Sequence, residues 1–379
     1  INSTNVSKFE GKTITGTYNP QERPSNSKDV KGGIMIDNVT VSLTIKNVNI
    51  GYDHSGWNLA GIYLGGNAKL NLTLKGENTL SGADQGAGIE VGEKATLVIT
   101  SDSTGTLTAT GGAYGAAGIG GRAGLNLSGS TEKYATGTIV IEGGDIQATG
   151  GAYWLPGLFE EHMGGAGIGT GLYGIGGSVT IEGGNVVAKG GRNTAAGIGG
   201  GEAGAVDSIQ IGGSNGKRPY VKASSYKEDG NRYGAGIGSG YNSTSGLNLP
   251  CGEIKILSGH VIAEGNIGHG GFSSWDGNAQ GTGSVDIAKD VELELTEGTI
   301  TPRGKCTFGK KVFQITAYDN QLPDGKYTAN VKLYEENDTE KNTSVFEKDT
   351  TMTVSVFRGI IPDITEWIGY YGNMQVVVE

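Results

Sequence analysis

The sequence predicts an all-β protein, a right-handed parallel β-helix of about eight coils with a small C-terminal β-rich appendage. Three observations predict it. Glycine supplies 71 of 379 residues, without the every-third-residue period of collagen. The tripeptide Ala-Gly-Ile recurs at 60–62, 87–89, 117–119, 166–168, 196–198 and 235–237, with an echo at Asn266-Ile267-Gly268. Short runs of apolar/polar alternation precede the recurrences, and a period of two residues is the signature of strands.

The steps between the recurring isoleucines are 27, 30, 49, 30, 39 and 30 residues. Taken as one unit of about 27–30 residues, the two long steps carry insertions of about 20 and 10, as in a solenoid with loops of variable length. The blocks GTIVIEGGDIQATGG (137–151), GSVTIEGGNVVAKGG (177–191) and GEIKILSGHVIAEGN (252–266) align without gaps. ATLVITSDSTGTLTATGG (95–112) fits with a three-residue bulge, while 68–82 and 41–51 are looser copies.

Within a block, Ile139 and Ile141 alternate with polar residues, then Gly-Gly-Asp turns the chain, then Ile146 and Ala148 alternate again. Each unit is therefore strand, tight turn, strand, glycine-rich bend and a third short strand at Ala-Gly-Ile-Gly. Equivalent positions stack about 4.8 Å apart along the axis, making interior ladders of Ile, Val, Leu and Ala. A helical alternative fails because glycine interrupts every apolar face.

Residues 1–39, polar and containing Pro20 and Pro24, are expected to form an N-terminal cap and first coil. The solenoid spans 40–304, with 284–304 as its last coil. From Lys305 glycine becomes scarce and longer alternating strands appear, so 305–379 reads as a β-rich domain, sandwich-like or capping the open end of the stack. Strict alternation through Ala-Gly-Ile-Gly would point Ala and Ile inward. Gly61, Gly88, Gly118, Gly167, Gly197 and Gly236 would then form an external column, joined by Gly120, Gly169, Gly199 and Gly238 but with Tyr63 and Glu90 in the first two coils. Cys251 and Cys306 fall about two coils apart, roughly 10 Å by the stacking spacing, beyond disulfide reach. Both are expected to be free, buried thiols.

Composition narrows the function. A net charge of −10 with no basic stripe argues against nucleic acid. No run of 18 apolar residues exists, so no membrane insertion is expected. The chain does not open on a charged segment followed by an apolar one, so any secretory signal is expected to have been removed. His54, His162, His260 and His269 lack metal-ligand spacing, and neither a calcium loop nor a nucleophile elbow is recognisable, so no metal and no cofactor is expected.

The chemistry lies in the insertions, which are expected to stack on one edge, just before each Ala-Gly-Ile. They read YDHSGWN (52–58), GAYG (112–115), GAYWLPGLFEEHMGG (151–165), SYKEDGNRYG (225–234) and GFSSWDGN (271–278). Trp57, Tyr114, Trp154, Tyr233 and Trp275, together with Tyr52 and Tyr226, offer ring faces for sugars. Asp53, Asp276 and Arg232 offer hydrogen bonds to hydroxyls, giving the aromatic anchors and convergent polar groups of a ligand site. Hydrolysis would need two carboxyl groups about 5–9.5 Å apart, for which Glu160 or Glu161 with Asp229 is the candidate pair. Glu90 is anomalous, since later coils carry glycine there.

The repeated IEGGxVxAxGG…GAGIGGG block resembles that of secreted or surface-attached bacterial proteins whose fold is the right-handed parallel β-helix of the pectate-lyase-like superfamily. Such proteins are often described as carbohydrate-binding-domain proteins. The resemblance covers about residues 40–304, most clearly 137–204, and implies a secreted or cell-surface location and a polysaccharide or glycoconjugate partner. Related β-helices include lyases, glycoside hydrolases, fructan-converting enzymes and adhesins, and none of their catalytic motifs falls on numbered residues here. The expected function is a carbohydrate-binding or adhesion protein, with a glycoside hydrolase or transglycosylase as the alternative.

Overall fold

The structure, a computed structural model, describes residues 1–19, 32–52, 58–124, 134–154, 162–192, 194–213, 216–227, 233–242, 249–271, 281–288, 291–298 and 300–301. Beyond these it describes the backbone of strands within 305–378. Among the described residues it is all-β, a parallel solenoid, apart from one short 3-10 turn at Val6–Lys8. No helix among the described residues is long and apolar enough to cross a membrane.

Three ladders of parallel strands build the stack. The first runs through Lys69–Lys75, Thr96–Ile99, Thr138–Ile141, Ser178–Ile181, Ser208–Ile211, Gly252–Ile256 and Gly283–Ile287. The second runs through Glu77–Ser81, Thr106–Thr110, Asp145–Thr149, Asn185–Lys189, Tyr220–Ser224, His260–Glu264 and Glu292–Thr296. The third is a separate nine-stranded sheet from Gly32–Asp37 to Ile300–Thr301. Together they make eight complete coils among the described residues, from Thr40 to Thr301.

Alternation decides which side chains enter. On the first ladder Leu70, Leu97, Ile139, Val179, Ile209, Ile254 and Val285 stack in register, as do Leu72, Ile99, Ile141, Ile181, Ile211, Ile256 and Ile287. On the third, Ile34, Ile62, Ile89, Ile119, Ile168, Ile198, Ile237, Ile267 and Ile300 form one column. Nearly all these rungs are excluded from water, each burial worth about 1.5–3 kcal/mol. Between the first two ladders the turns use glycine at positive φ, Gly144 at 89° and Gly184 at 84°, conformations that cost a residue without Cβ little.

The second ladder carries a column that changes size. Leu80 is followed by Ala109, Ala148, Ala188, Ala223 and Ala263 before Leu295 closes it. The adjacent column begins with a polar residue, Asn78, in register with Leu107, Ile146, Val186, Val221 and Val261. Asn78 is 1% exposed. Its Oδ1 accepts from the Val48 N–H at 3.1 Å, and its amide nitrogen donates to the carbonyls of Lys75 and Thr106, both at 3.0 Å. It sits where the unbroken strand Thr40–Ile50 crosses a corner that later coils turn with glycine, and it satisfies the backbone groups that the crossing frees.

The glycines of Ala-Gly-Ile-Gly correct the expectation of an external strip. Gly61, Gly88, Gly118, Gly167, Gly197 and Gly236 are all buried. The rung from coil three onward is only two residues long, the tip of a narrow loop rather than an extended strand. Its neck is closed by Ala117 N–H donating to the Gly121 carbonyl at 2.9 Å, and likewise Ala166 to Thr170 at 3.0 Å, Ala196 to Gly200 at 2.8 Å and Ala235 to Ser239 at 3.1 Å. Each tip drives its isoleucine into the core, and its flanking glycines meet backbone. A methyl on Gly118 would lie 2.7 Å from the Gly167 carbonyl oxygen and 2.7 Å from the Thr149 nitrogen.

Outside the necks the bends lie on one another coil by coil. A Cβ on Gly151 would strike the Gly112 carbonyl, one on Gly191 that of Gly151, and one on Gly240 that of Gly201. This lateral wing is backbone packed on backbone, which explains why glycine concentrates in stretches such as 164–177. Its small apolar cluster is Ala116, Ala123 and Leu172, covered by Tyr114 and Tyr173.

Insertions also depart from a single edge. Residues 212–219 separate the first and second strands of one coil, where 142–144 and 182–184 suffice elsewhere. Residues 121–137 and 269–282 follow the third strand rather than precede it, so Trp275 and Asp276 belong to a segment after Ile267–Gly268. Toward the C-terminus, Lys305–Phe308 adds to the first ladder with Val285 opposite Cys306, then pairs antiparallel with Lys311–Gln314. Beyond it, Gly325–Glu335 pairs antiparallel with Phe346–Ser355 and with Met374–Val378.

Candidate functional site

The wing concentrates the polar groups that the solenoid buries. Asp84, Glu90, Thr136, Thr170, Thr194, Glu202, Ser225, Ser239, Asn242, Asn266 and His269 are all under 9% exposed, and all lie on or beside the glycine-rich bends. Several knit coil to coil. Thr170 Oγ1 accepts from the Gly201 N–H at 3.0 Å, Ser239 Oγ accepts from the Gly270 N–H at 3.0 Å, and the His269 ring meets the Gly281 carbonyl at 2.7 Å. These are structural bonds, because buried backbone groups need partners once glycine bends replace sheet.

Of the sequence-predicted rings, Tyr52, Tyr114, Tyr226 and Tyr233 have described side chains, and Tyr114 and Tyr233 are half-buried. Tyr114 packs on the wing's apolar cluster, its N–H donating to the Asp84 carbonyl at 3.0 Å. Tyr233 lies with its centroid 5.3 Å from that of Tyr241, the planes tilted by 48°. Tyr52 is structural too. Its hydroxyl donates to the Ala60 carbonyl at 2.9 Å, its ring meets Tyr18 edge-on at 6.3 Å, and burial pushes its ionisation well above the usual phenol range.

Trp154 ends the strand Ala152–Trp154, which pairs antiparallel with His162–Gly164 so that Trp154 stands opposite His162. Trp57, Trp275, Asp53, Asp276, Arg232, Glu160, Glu161 and Asp229 lie outside the described residues.

Among the described residues the open loop ring is Tyr226, 38% exposed. It follows the second-ladder strand Tyr220–Ser224 at the foot of the 225–234 insertion. Lys189, from the coil before, places its ammonium 4.4 Å from the ring centroid. Charged pairs start from neighbouring positions in the chain: Lys222 pairs with Glu264 at 2.8 Å and Lys227 with Glu297 at 2.7 Å. An aromatic face amid long donors and acceptors can hold a ligand with apolar C–H faces and many hydroxyls.

A second constellation was only half visible in the sequence. Glu90 is 5% exposed, and its Oε1 lies 3.9 Å from Arg122 Nε. The Arg122 guanidinium carbon is in turn 5.3 Å from the Tyr134 ring centroid. Glu90 was anomalous by position, but Arg122 and Tyr134 come from the following coils and carried no sequence signal. Among the described residues no three His, Cys, Asp or Glu side chains converge to hold a metal ion.

Comparison with protein-family models, with curated proteins and with solved structures finds no match to this chain.

Proposed function

We propose that this protein is a secreted or cell-surface glycan-binding protein that holds a polysaccharide or glycoconjugate chain against the loop-bearing edge of its solenoid. The observation that carries the reading is Tyr226, an exposed ring capped by the Lys189 ammonium and flanked by the Lys222–Glu264 and Lys227–Glu297 pairs. Sugars present apolar C–H faces to rings and hydroxyls to charged side chains, so such a surface suits them. Coil stacking supports the reading further, since groups repeated about every 4.8 Å along an axis favour an extended ligand over a compact one.

The test is affinity electrophoresis of the protein through gels holding neutral and acidic plant, microbial and host polysaccharides. Retardation in at least one gel is expected, with Tyr226→Ala weakening it about tenfold, or about 1.4 kcal/mol. Migration unaffected by every polysaccharide would refute the reading. Release of reducing ends from the retained polysaccharide would turn it toward hydrolysis, with Glu160, Glu161 and Asp229 as the carboxyls to replace first.

A further inference from the structure

We infer that the outward face of the second ladder is the track along which the glycan lies, and that the glycan is a neutral, extended polysaccharide; the inference rests on the glycan-binding reading. Register places the track. Ser81, Thr110, Thr149, Lys189 and Ser224 stand in line on five successive strands, and Tyr226 follows Ser224 by two residues. Thr79, Thr108 and Gln147 form a parallel column two residues earlier, on the same face because side chains alternate along a strand. The residues between the columns, Leu80, Ala109 and Ala148, point inward and are no more than 1% exposed. Three rungs, roughly 14 Å by the stacking spacing, lead from Ser81 to Lys189, whose ammonium lies 4.4 Å from the Tyr226 ring centroid.

The polar groups of this face are open. Thr79, Thr108, Gln147 and Thr149 are exposed, and Ser81 and Thr110 are half-buried. Among the described residues none of these six side chains hydrogen-bonds to another group. The first ladder differs. There Thr73 Oγ1 lies 2.8 Å from Thr100 Oγ1, Asn71 Nδ2 donates to Ser42 Oγ at 3.4 Å, and Ser178 Oγ lies 3.4 Å from Thr138 Oγ1, so neighbouring coils hold one another's side chains. A hydroxyl both donates and accepts, as a sugar hydroxyl does. Threonine's branched Cβ keeps χ1 stiff, so little rotamer freedom is lost when a ligand settles on it. One rung, about 4.8 Å, is close to the length of one sugar ring in an extended chain, so successive sugars can meet equivalent groups on successive coils. Charge selects the class. The six side chains carry none, and Glu77 and Asp145, which begin the first and third of these strands, are acidic. An acidic polysaccharide would be repelled there where a neutral one is not.

The experiment runs the full chain through affinity gels of neutral and of acidic polysaccharides, with thermal midpoints measured in parallel. Retardation is expected in a neutral gel. The triple variant Thr108→Val, Thr110→Val and Thr149→Val keeps side-chain shape and strand preference while removing three hydroxyls. It is expected to weaken retardation at least fivefold, with a midpoint close to the parent. The matching triple on the first ladder, Thr96→Val, Thr138→Val and Thr180→Val, is expected to leave retardation unchanged. Should the second-ladder triple fail to fold, Thr108→Arg decides, since a long side chain at that exposed position would obstruct the track and bring the same loss. Parent-like retardation of the second-ladder variants, equal weakening by both triples, or retardation by acidic polysaccharides alone would overturn the inference, while weakening by Tyr226→Ala would still uphold the glycan reading. A parent chain that no polysaccharide retards would sink the glycan reading, and this track with it.

Discussion

Gly118 and Thr149 lie back to back, so close that a methyl on the glycine would come within 2.7 Å of the threonine nitrogen and 2.8 Å of its oxygen. The third rung of one coil thus rests directly on the end of the second strand of the next. Gly118→Ala is expected to destabilise the fold by about 1–3 kcal/mol through overpacking. Gly169→Ala should cost more, since φ there is +134° and the new Cβ would strike the Gly199 carbonyl. Denaturant midpoints checked against Thr138→Ala, on the outer face, measure both. Equal midpoints for all three would remove the claim of backbone-on-backbone contact.

The alanine column carries the same constraint from the other side. Ala148 and Ala188 are no more than 1% exposed, and the Ala148 carbonyl lies 2.9 Å from a Cβ built on Gly167. Ala148→Leu would copy the residue that flanks the run of alanines on both sides, Leu80 and Leu295, yet is expected to destabilise by about 1–3 kcal/mol. A gain in thermal midpoint would show unfilled space at the centre of the solenoid.

Asn78 is predicted to resist replacement by the residue its own column suggests. Asn78→Leu matches Leu107 in shape but leaves the Val48 N–H and the Lys75 and Thr106 carbonyls without their side-chain partner. Unpaired buried polar groups cost about 1–3 kcal/mol each. A loss of at least about 2 kcal/mol by denaturant titration is expected, and a neutral outcome would mean that water reaches this corner.

Alkaline pH should loosen the fold through Cys251. Its thiol is free and buried, as the cysteine spacing suggested, and burial raises its pKa from 9.0 to about 12. Because the folded state holds the proton more tightly, this contribution is complete below pH 9 and is lost as pH rises from 9 toward 12. Tyr52 acts in the same sense above pH 10.0, its ionisation also raised chiefly by burial. Stability of the parent is therefore expected to fall more steeply between pH 9 and 11 than that of Cys251→Ala. In a Cys306→Ser background, an aromatic disulfide reagent at pH 8 should label Cys251 only after unfolding; prompt labelling of the folded chain would contradict the burial.

Much of the solenoid was legible because its cause is local. Period-2 alternation in 139–141 and 146–148, the Gly-Gly turn between them and the recurring isoleucines specify strands, corners and register, since each unit can bury its apolar face only on its neighbours. What misled was extending that alternation into Ala-Gly-Ile-Gly. There the chain doubles back within five residues, and only the closing bond from Ala117 to Gly121 shows that the glycines face backbone instead of solvent.

The chain by itself determined which residues form the interior, how long each coil is and where glycine must stand. Tertiary stacking decided which side chains meet across coils. Glu90 stands more than thirty residues before Arg122, but a rise of about 4.8 Å per coil brings such positions together. For the same reason Lys189 reaches Tyr226 at 4.4 Å, and Lys227 reaches Glu297 over a separation of 70 residues. Composition announces a repetitive fold; contacts of this kind, set by register between coils, decide where a ligand can be held.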